Sequence, residues 1–197
     1  ILCALVFGAS MVWDAFAIAF IIPNLFRRIF GEGALTAAFV PVFVDRLENR
    51  GRENAFRLLN AVFTLMAIIL ACFVVIGIAA ATVLPSFVDD PKTRLVCELL
   101  SIMMPYLFFI CLAAILGAAL NSLHHFAAPA AAPIILNVIW IAVLLSAGPI
   151  LGVSKDRQIF VVAAAILVGG VLEFGIQVIP LRLRGAFLQP VFAPKEE

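Results

Sequence analysis

The chain has 197 residues, 65% of them hydrophobic and only 13% charged, with a mean hydropathy of +1.19. A soluble domain carries about 45–50% apolar residues, so water is excluded as the solvent for most of this surface. Basic and acidic residues number 13 and 12 and leave a formal net charge of +1, which excludes the basic excess expected of a nucleic-acid binder.

A membrane span takes about 20 apolar residues at 1.5 Å rise each. In chain order, that rule predicts about six helices near 1–8, 11–30, 58–84, 95–120, 133–150 and 159–181. Ile1 opens inside an apolar run with neither the charged region nor the cleavage site of a signal peptide. Segment 1–8 is therefore read as the tail of a truncated first helix, and the polar stretch Phe192 to Glu197 as a connector, so sequence is expected to be missing at both ends. The segment 11–30 is full length but holds Asp14, Arg27 and Arg28. Leu58 to Leu84 and Leu99 to Leu120 carry no charge, and the last apolar run admits only Glu173 beside a Gly169-Gly170 pair suited to close helix packing.

Loop charges orient such a bundle through the positive-inside rule. Arg46, Arg50, Arg52 and Arg57 precede the third segment, and Arg182, Arg184 and Lys195 follow the sixth, on the same side if there are six spans. Lys92, Arg94, Lys155 and Arg157 fall on the other. The bias predicts that the second loop and carboxyl end are cytoplasmic.

The stretch Trp13 to Val44, WDAFAIAFIIPNLFRRIFGEGALTAAFVPVFV, puts charges in the wrong solvent. A charge at the bilayer centre costs at least about 2.5–3.5 kcal/mol on insertion scales and is normally turned to a wet cavity or a partner. Pro23 removes a backbone donor and is expected to kink the helix near Ala19. Helical spacing sets Phe20, Asn24, Arg27 and Gly31 on one stripe, which favours a cavity role for Arg27 over the headgroup anchor that an arginine near a helix end can also be. Arg28, about 100° away, is expected to snorkel to headgroups as an anchor. Asp14 and Arg27, 13 positions and roughly 20 Å apart, cannot neutralise each other. Asp14 has two readings, helix cap or charged functional group, and Glu173 two, a partner across the bundle or a functional acid.

The remaining polar residues suggest structure. His124 and His125 are adjacent, cannot form an i, i+4 metal pair, and are placed in a surface loop. Asn121 and Asn137 read as caps or interhelical hydrogen bonders, and Tyr106 and Trp140 as interface anchors or packing residues. Cys3, Cys72, Cys97 and Cys111 show no C-x-x-C spacing and read as small hydrophobes. No nucleophile with its base, Walker loop or metal motif stands out.

The run DAFAIAFIIPNLFRRIFGEGALTAAFVPVF, supported by PYLFFICLAAILGAALNSLHHFAAPAAAPIILN between Pro105 and Asn137, closely resembles the MurJ (MviN) family of lipid II flippases within the multidrug/oligosaccharidyl-lipid/polysaccharide exporter superfamily. The resemblance implies an all-α integral membrane protein, a bundle forming the amino-terminal lobe of a two-lobe transporter in the bacterial inner membrane. It implies no cofactor; the partners are lipid II, membrane lipids and a carboxyl-terminal lobe absent from this chain. Asp14 and Arg27 match the family's important acidic and basic positions on the second helix, and Glu32 lies in its GEGA motif. The candidate substrate-binding set is thus Arg27, Asp14, Asn24, Glu32 and Arg28, the last mainly an anchor. A flippase for another lipid-linked glycan or a multidrug exporter, and a non-transporting scaffold for cell-wall enzymes, are the alternatives.

Overall fold

A computed structural model describes residues 2–29, 33–147, 152 and 154–189. Gly31 and Glu32 of the GEGA motif, and Lys195, lie outside the described residues.

A short helix α1 (Leu2–Phe7) is followed by Ser10, whose Oγ accepts a hydrogen bond from the Trp13 N–H at 3.3 Å and starts α2 (Met11–Arg27). Pro23 sits inside α2, and residues 28 and 29 continue in π-type turns, the Arg28 N–H reaching the carbonyls of both Asn24 and Leu25. Then come α3 (Ala34–Asn49) and α4 (Gly51–Val83), separated by Arg50 alone. Gly51 permits that tight junction, its φ of +82° lying where a side chain is strained. A 3-10 turn (Leu84–Ser86) leads to Asp90, whose carboxylate accepts the Thr93 N–H at 2.9 Å and caps α5 (Pro91–Ser122). Pro91 stands at the first helical position, where no N–H is needed. The last elements are α6 (Ala127–Ser146) and α7 (Lys155–Leu183).

The described residues are thus helical bundle without strands, and α4 to α7 are each long and apolar enough to cross a membrane. The predicted segments map onto six helices; the addition is α3. Its apolar run is broken by Pro41 and closes on Asp45, Arg46 and Glu48, too short and too charged to register as a span, so sequence reading left it as a loop. α4 and α5 likewise start at 51 and 91 rather than 58 and 95, because charged first turns extend them beyond their apolar cores. In α6 the helix begins at Ala127 rather than 133, because Pro129 falls in the first turn, where a missing N–H costs no helical bond.

α5 is the central helix, with Leu99, Met103, Tyr106, Leu107, Leu112, Leu116 and Leu120 all buried, and it packs against α2, α3, α4 and α7. α6 packs chiefly on α7. α4 and α6 turn outward instead, exposing Leu65, Ile68, Val75 and Ile76 on one and Ile134, Val138 and Leu145 on the other. That is the apolar surface expected of helices facing lipid, where association rests on close packing rather than on escape from water. Glycines supply it: a Cβ at Gly169 would lie 2.5 Å from Leu136 Cδ1 of α6, and one at Gly170 2.5 Å from the Tyr106 ring of α5. Beyond α7, Asn60 of α4 holds the chain twice, donating from Nδ2 to the Phe187 carbonyl at 3.0 Å and accepting the Gln189 N–H on Oδ1 at 3.4 Å.

Candidate functional site

Phe7 of α1 and three aromatic residues of α2 form a column, Phe7 on Trp13, Trp13 on Phe16 and Phe16 on Phe20, with centroids 5.4–6.1 Å apart. Trp140 of α6 meets Phe20 edge-on at 5.7 Å, and Tyr106 of α5 lies 6.3 Å from Phe20. Below this column α2, α5, α6 and α7 part around a cavity of about 510 Å³, within the range of small-ligand sites. Its apolar lining is mostly small, with Ala113, Ala114, Ala118, Ala132 and Gly117 beside Pro129 and Pro133.

Nearly half of the lining residues carry polar groups. From α2 come Asn24 and Arg27, whose Nε donates to Asn24 Oδ1 at 3.3 Å. That bond turns the guanidinium along the cavity wall, because Asn24 and Arg27 stand three positions apart on one helix face. Phe20 completes the α2 contribution. Thr36 enters from α3, Tyr106 and Asn121 from α5, Asn137 from α6, and Glu173 and Gln177 from α7. Arg27 lies within electrostatic reach of Glu173 and Tyr106. A cation whose planar fork faces a pocket inside a membrane bundle suits a phosphate or diphosphate, which accepts paired charge-assisted hydrogen bonds.

The structure brings together only part of the predicted set. Phe20, Asn24 and Arg27 share the cavity, as their spacing requires, whereas Arg28 is exposed and does not line it. Asp14 stands at the other end of α2, exposed, with its carboxylate 3.4 Å from Lys92 Nζ. The cap of α2 is Ser10, so capping is not what Asp14 does; its charge meets the first turn of α5. Glu32 lies outside the described residues. His124 and His125 follow α5, the first with a φ of +57°, and His125 Nδ1 is 3.0 Å from Arg184 Nη2 at the end of α7.

Sequence reasoning missed Thr36 and Gln177, and assigned Asn121, Asn137 and Tyr106 structural roles. A signal for Gln177 was present: Glu173 and Gln177 are spaced i, i+4 in an otherwise apolar helix, so a polar stripe was legible once Glu173 had been noticed.

The family model described as lipid II flippase MurJ matches residues 3–197. The chain belongs to that family. It is 38% identical over 182 residues to the lipid II flippase MurJ of Burkholderia cenocepacia, covering 89% of this chain and 34% of that protein. It is 38% identical over 191 residues to a probable lipid II flippase MurJ of Rhizobium tropici, covering 93% of this chain and 36% of the relative. Among solved structures, a lipid II flippase MurJ in an inward closed conformation superposes with a TM-score of 0.71 at 27% identity, over 88% of this chain and 36% of that one. The chain therefore spans about a third of the length of these relatives. It is a multi-pass helical membrane protein of the MurJ family, and the cavity lined by Arg27 lies within the matched region.

Proposed function

We propose that this chain is one lobe of a lipid II flippase in the bacterial inner membrane, and that Arg27 is a contact for the diphosphate of the lipid-linked headgroup. Alternating access is the mechanism: the headgroup enters an inward-facing cavity, partly neutralises it, and leaves outward after the two lobes reorient, while the lipid tail stays in the bilayer. A second, carboxyl-terminal lobe supplies the opposing wall. The observation that carries this reading is the half-buried guanidinium of Arg27, held by Asn24, on the wall of a cavity of about 510 Å³ among membrane helices. What the relatives are called favours lipid II over another lipid-linked glycan or a drug, and transport over scaffolding.

The test uses a full-length protein carrying this lobe, in cells depleted of their own flippase, with lipid II exposure at the outer leaflet as readout. Arg27→Lys keeps charge but loses the fork and is expected to be impaired, with Arg27→Ala worse. Arg28→Lys is expected to be nearly silent, since an interfacial cation needs only charge and reach. Equal tolerance of alanine at both positions, at normal membrane abundance, would remove Arg27 from the headgroup site.

A further inference from the structure

α7 sets two acceptor side chains on the cavity wall and, among the described residues, gives one oxygen of each nothing to accept. Glu173 and Gln177 are 2% and 4% exposed, stand one turn apart, and line the same wall. Glu173 Oε2 and Gln177 Oε1 are buried without a hydrogen-bond partner among the described residues. The Gln177 amide cannot simply be turned over, because its Nε2 donates to the Glu173 carbonyl oxygen at 3.3 Å, and reversal would set oxygen against oxygen. Its Oε1 is accommodated by Gly117 of α5: a Cβ there would lie 2.9 Å from that oxygen. Buried acceptors in a low-dielectric site are costly when unpaired, and native proteins keep few of them without a use.

The missing partner is a hydrogen-bond donor. A phosphate has only acceptors to offer at neutral pH and is repelled by a carboxylate, so Glu173 and Gln177 do not belong to a diphosphate subsite. Arg27, on the facing helix, does. The cavity thus carries a cation on α2 and two acceptor side chains on α7, and the flat rings of Phe20 and Tyr106, 6.3 Å apart, line it with them. Acceptors beside aromatic faces suit a sugar, which carries hydroxyl and amide donors on its edge and apolar C–H groups on its faces.

We propose that Glu173 and Gln177 form an accepting subsite for the hydroxyl and amide N–H groups of the sugar attached to the diphosphate. This rests on the reading of Arg27 given above, and it adds an orientation: the headgroup lies with its diphosphate toward α2 and its sugar toward α7. A Glu173 present only as an internal counter-ion for Arg27 is the competing explanation, and the two differ in what they do to a sugar-free ligand.

The experiment measures binding of two probes to the full-length protein in nanodiscs: lipid II, and undecaprenyl diphosphate, which shares tail and diphosphate but lacks the sugars. Glu173→Ala and Gln177→Leu are each expected to weaken lipid II binding roughly tenfold, the scale of one lost charge-assisted or buried hydrogen bond. Both should leave undecaprenyl diphosphate binding within about twofold of the parent. Glu173→Gln, nearly the same shape, guards against misfolding and is expected to show the same selectivity at smaller size. Gly117→Ala, which crowds Oε1 while leaving both acceptor residues unsubstituted, is expected to follow Gln177→Leu. Equal losses for both probes, or loss for neither, would overturn the subsite and leave Glu173 as a counter-ion or packing residue. Arg27→Ala should weaken both probes; if it weakens neither while the α7 variants still discriminate, the diphosphate assignment fails and the sugar subsite stands.

Discussion

The glycines of α7 allow the packing account to be tested by one substitution at three positions. Gly175→Ala adds a methyl where nothing lies within 4 Å, and it should stabilise by the helix-propensity difference, about 0.8–1.0 kcal/mol. Gly170→Ala gains the same backbone term but drives its Cβ to 2.5 Å from Tyr106 Cδ2 and 3.0 Å from Cε2. The ring has little room to retreat, since Tyr106 is 1% exposed and Phe20 lies 6.3 Å away. Overpacking of that kind costs about 1–3 kcal/mol, so Gly170→Ala should range from neutral to destabilising by roughly 2 kcal/mol. Gly169→Ala meets Leu136 Cδ1, the end of a flexible side chain, and should fall between the two. Thermal unfolding of the full-length protein in one detergent, followed by the loss of monodisperse material on size exclusion, gives the order. A melting temperature for Gly170→Ala at or above that of Gly175→Ala would refute the claim that Tyr106 is wedged against α7.

Three further outcomes are expected. Because Asp14 and Lys92 are partly exposed, at 59% and 39% of their side chains, Asp14→Asn should shift stability by less than about 1 kcal/mol yet reduce lipid II export at normal membrane abundance; normal export would leave the residue a surface ion-pair partner only. In a version lacking the native cysteines, a cysteine at position 50 should resist an impermeant reagent in intact cells and one at 155 should react, and the reverse labelling would invert the topology. The hydrogen bonds from Thr93, side chain first and backbone second, hold the Asp90 carboxyl below its usual value of 3.8. Its capping contribution is therefore complete above that value and lost as pH falls through the lower native one, so the melting-temperature gap between parent and Asp90→Ala should narrow in acid.

The legible parts of this protein were those written in apolar length and helical spacing. Uninterrupted runs such as Leu58 to Leu84 announce themselves, and three residues on one face of α2 were enough to predict that Arg27 and Asn24 share a wall. The helix at 34–49 was not legible, since composition cannot tell a charged amphipathic helix beside a proline from a loop; tertiary packing against α4 and α5 decides it. The partner of Asp14 was equally hidden, because Lys92 is 78 positions away and no local pattern joins them. The acceptor wall of the cavity needed three dimensions too: Glu173 is conspicuous by type, but that its Oε2 is unpaired among the described residues shows only in the packed bundle.

The double hold of Asn60 on the strand of chain leaving α7 has a mechanical consequence. One amide grips a carbonyl at 187 and an N–H at 189, so the backbone there is tied to α4 at two points, each bond worth about 0.5–1.5 kcal/mol. Residues 187–189 thereby stay registered with the flank of α4, a rod of 33 residues and roughly 50 Å, so a tilt of α4 would carry this stretch along with it.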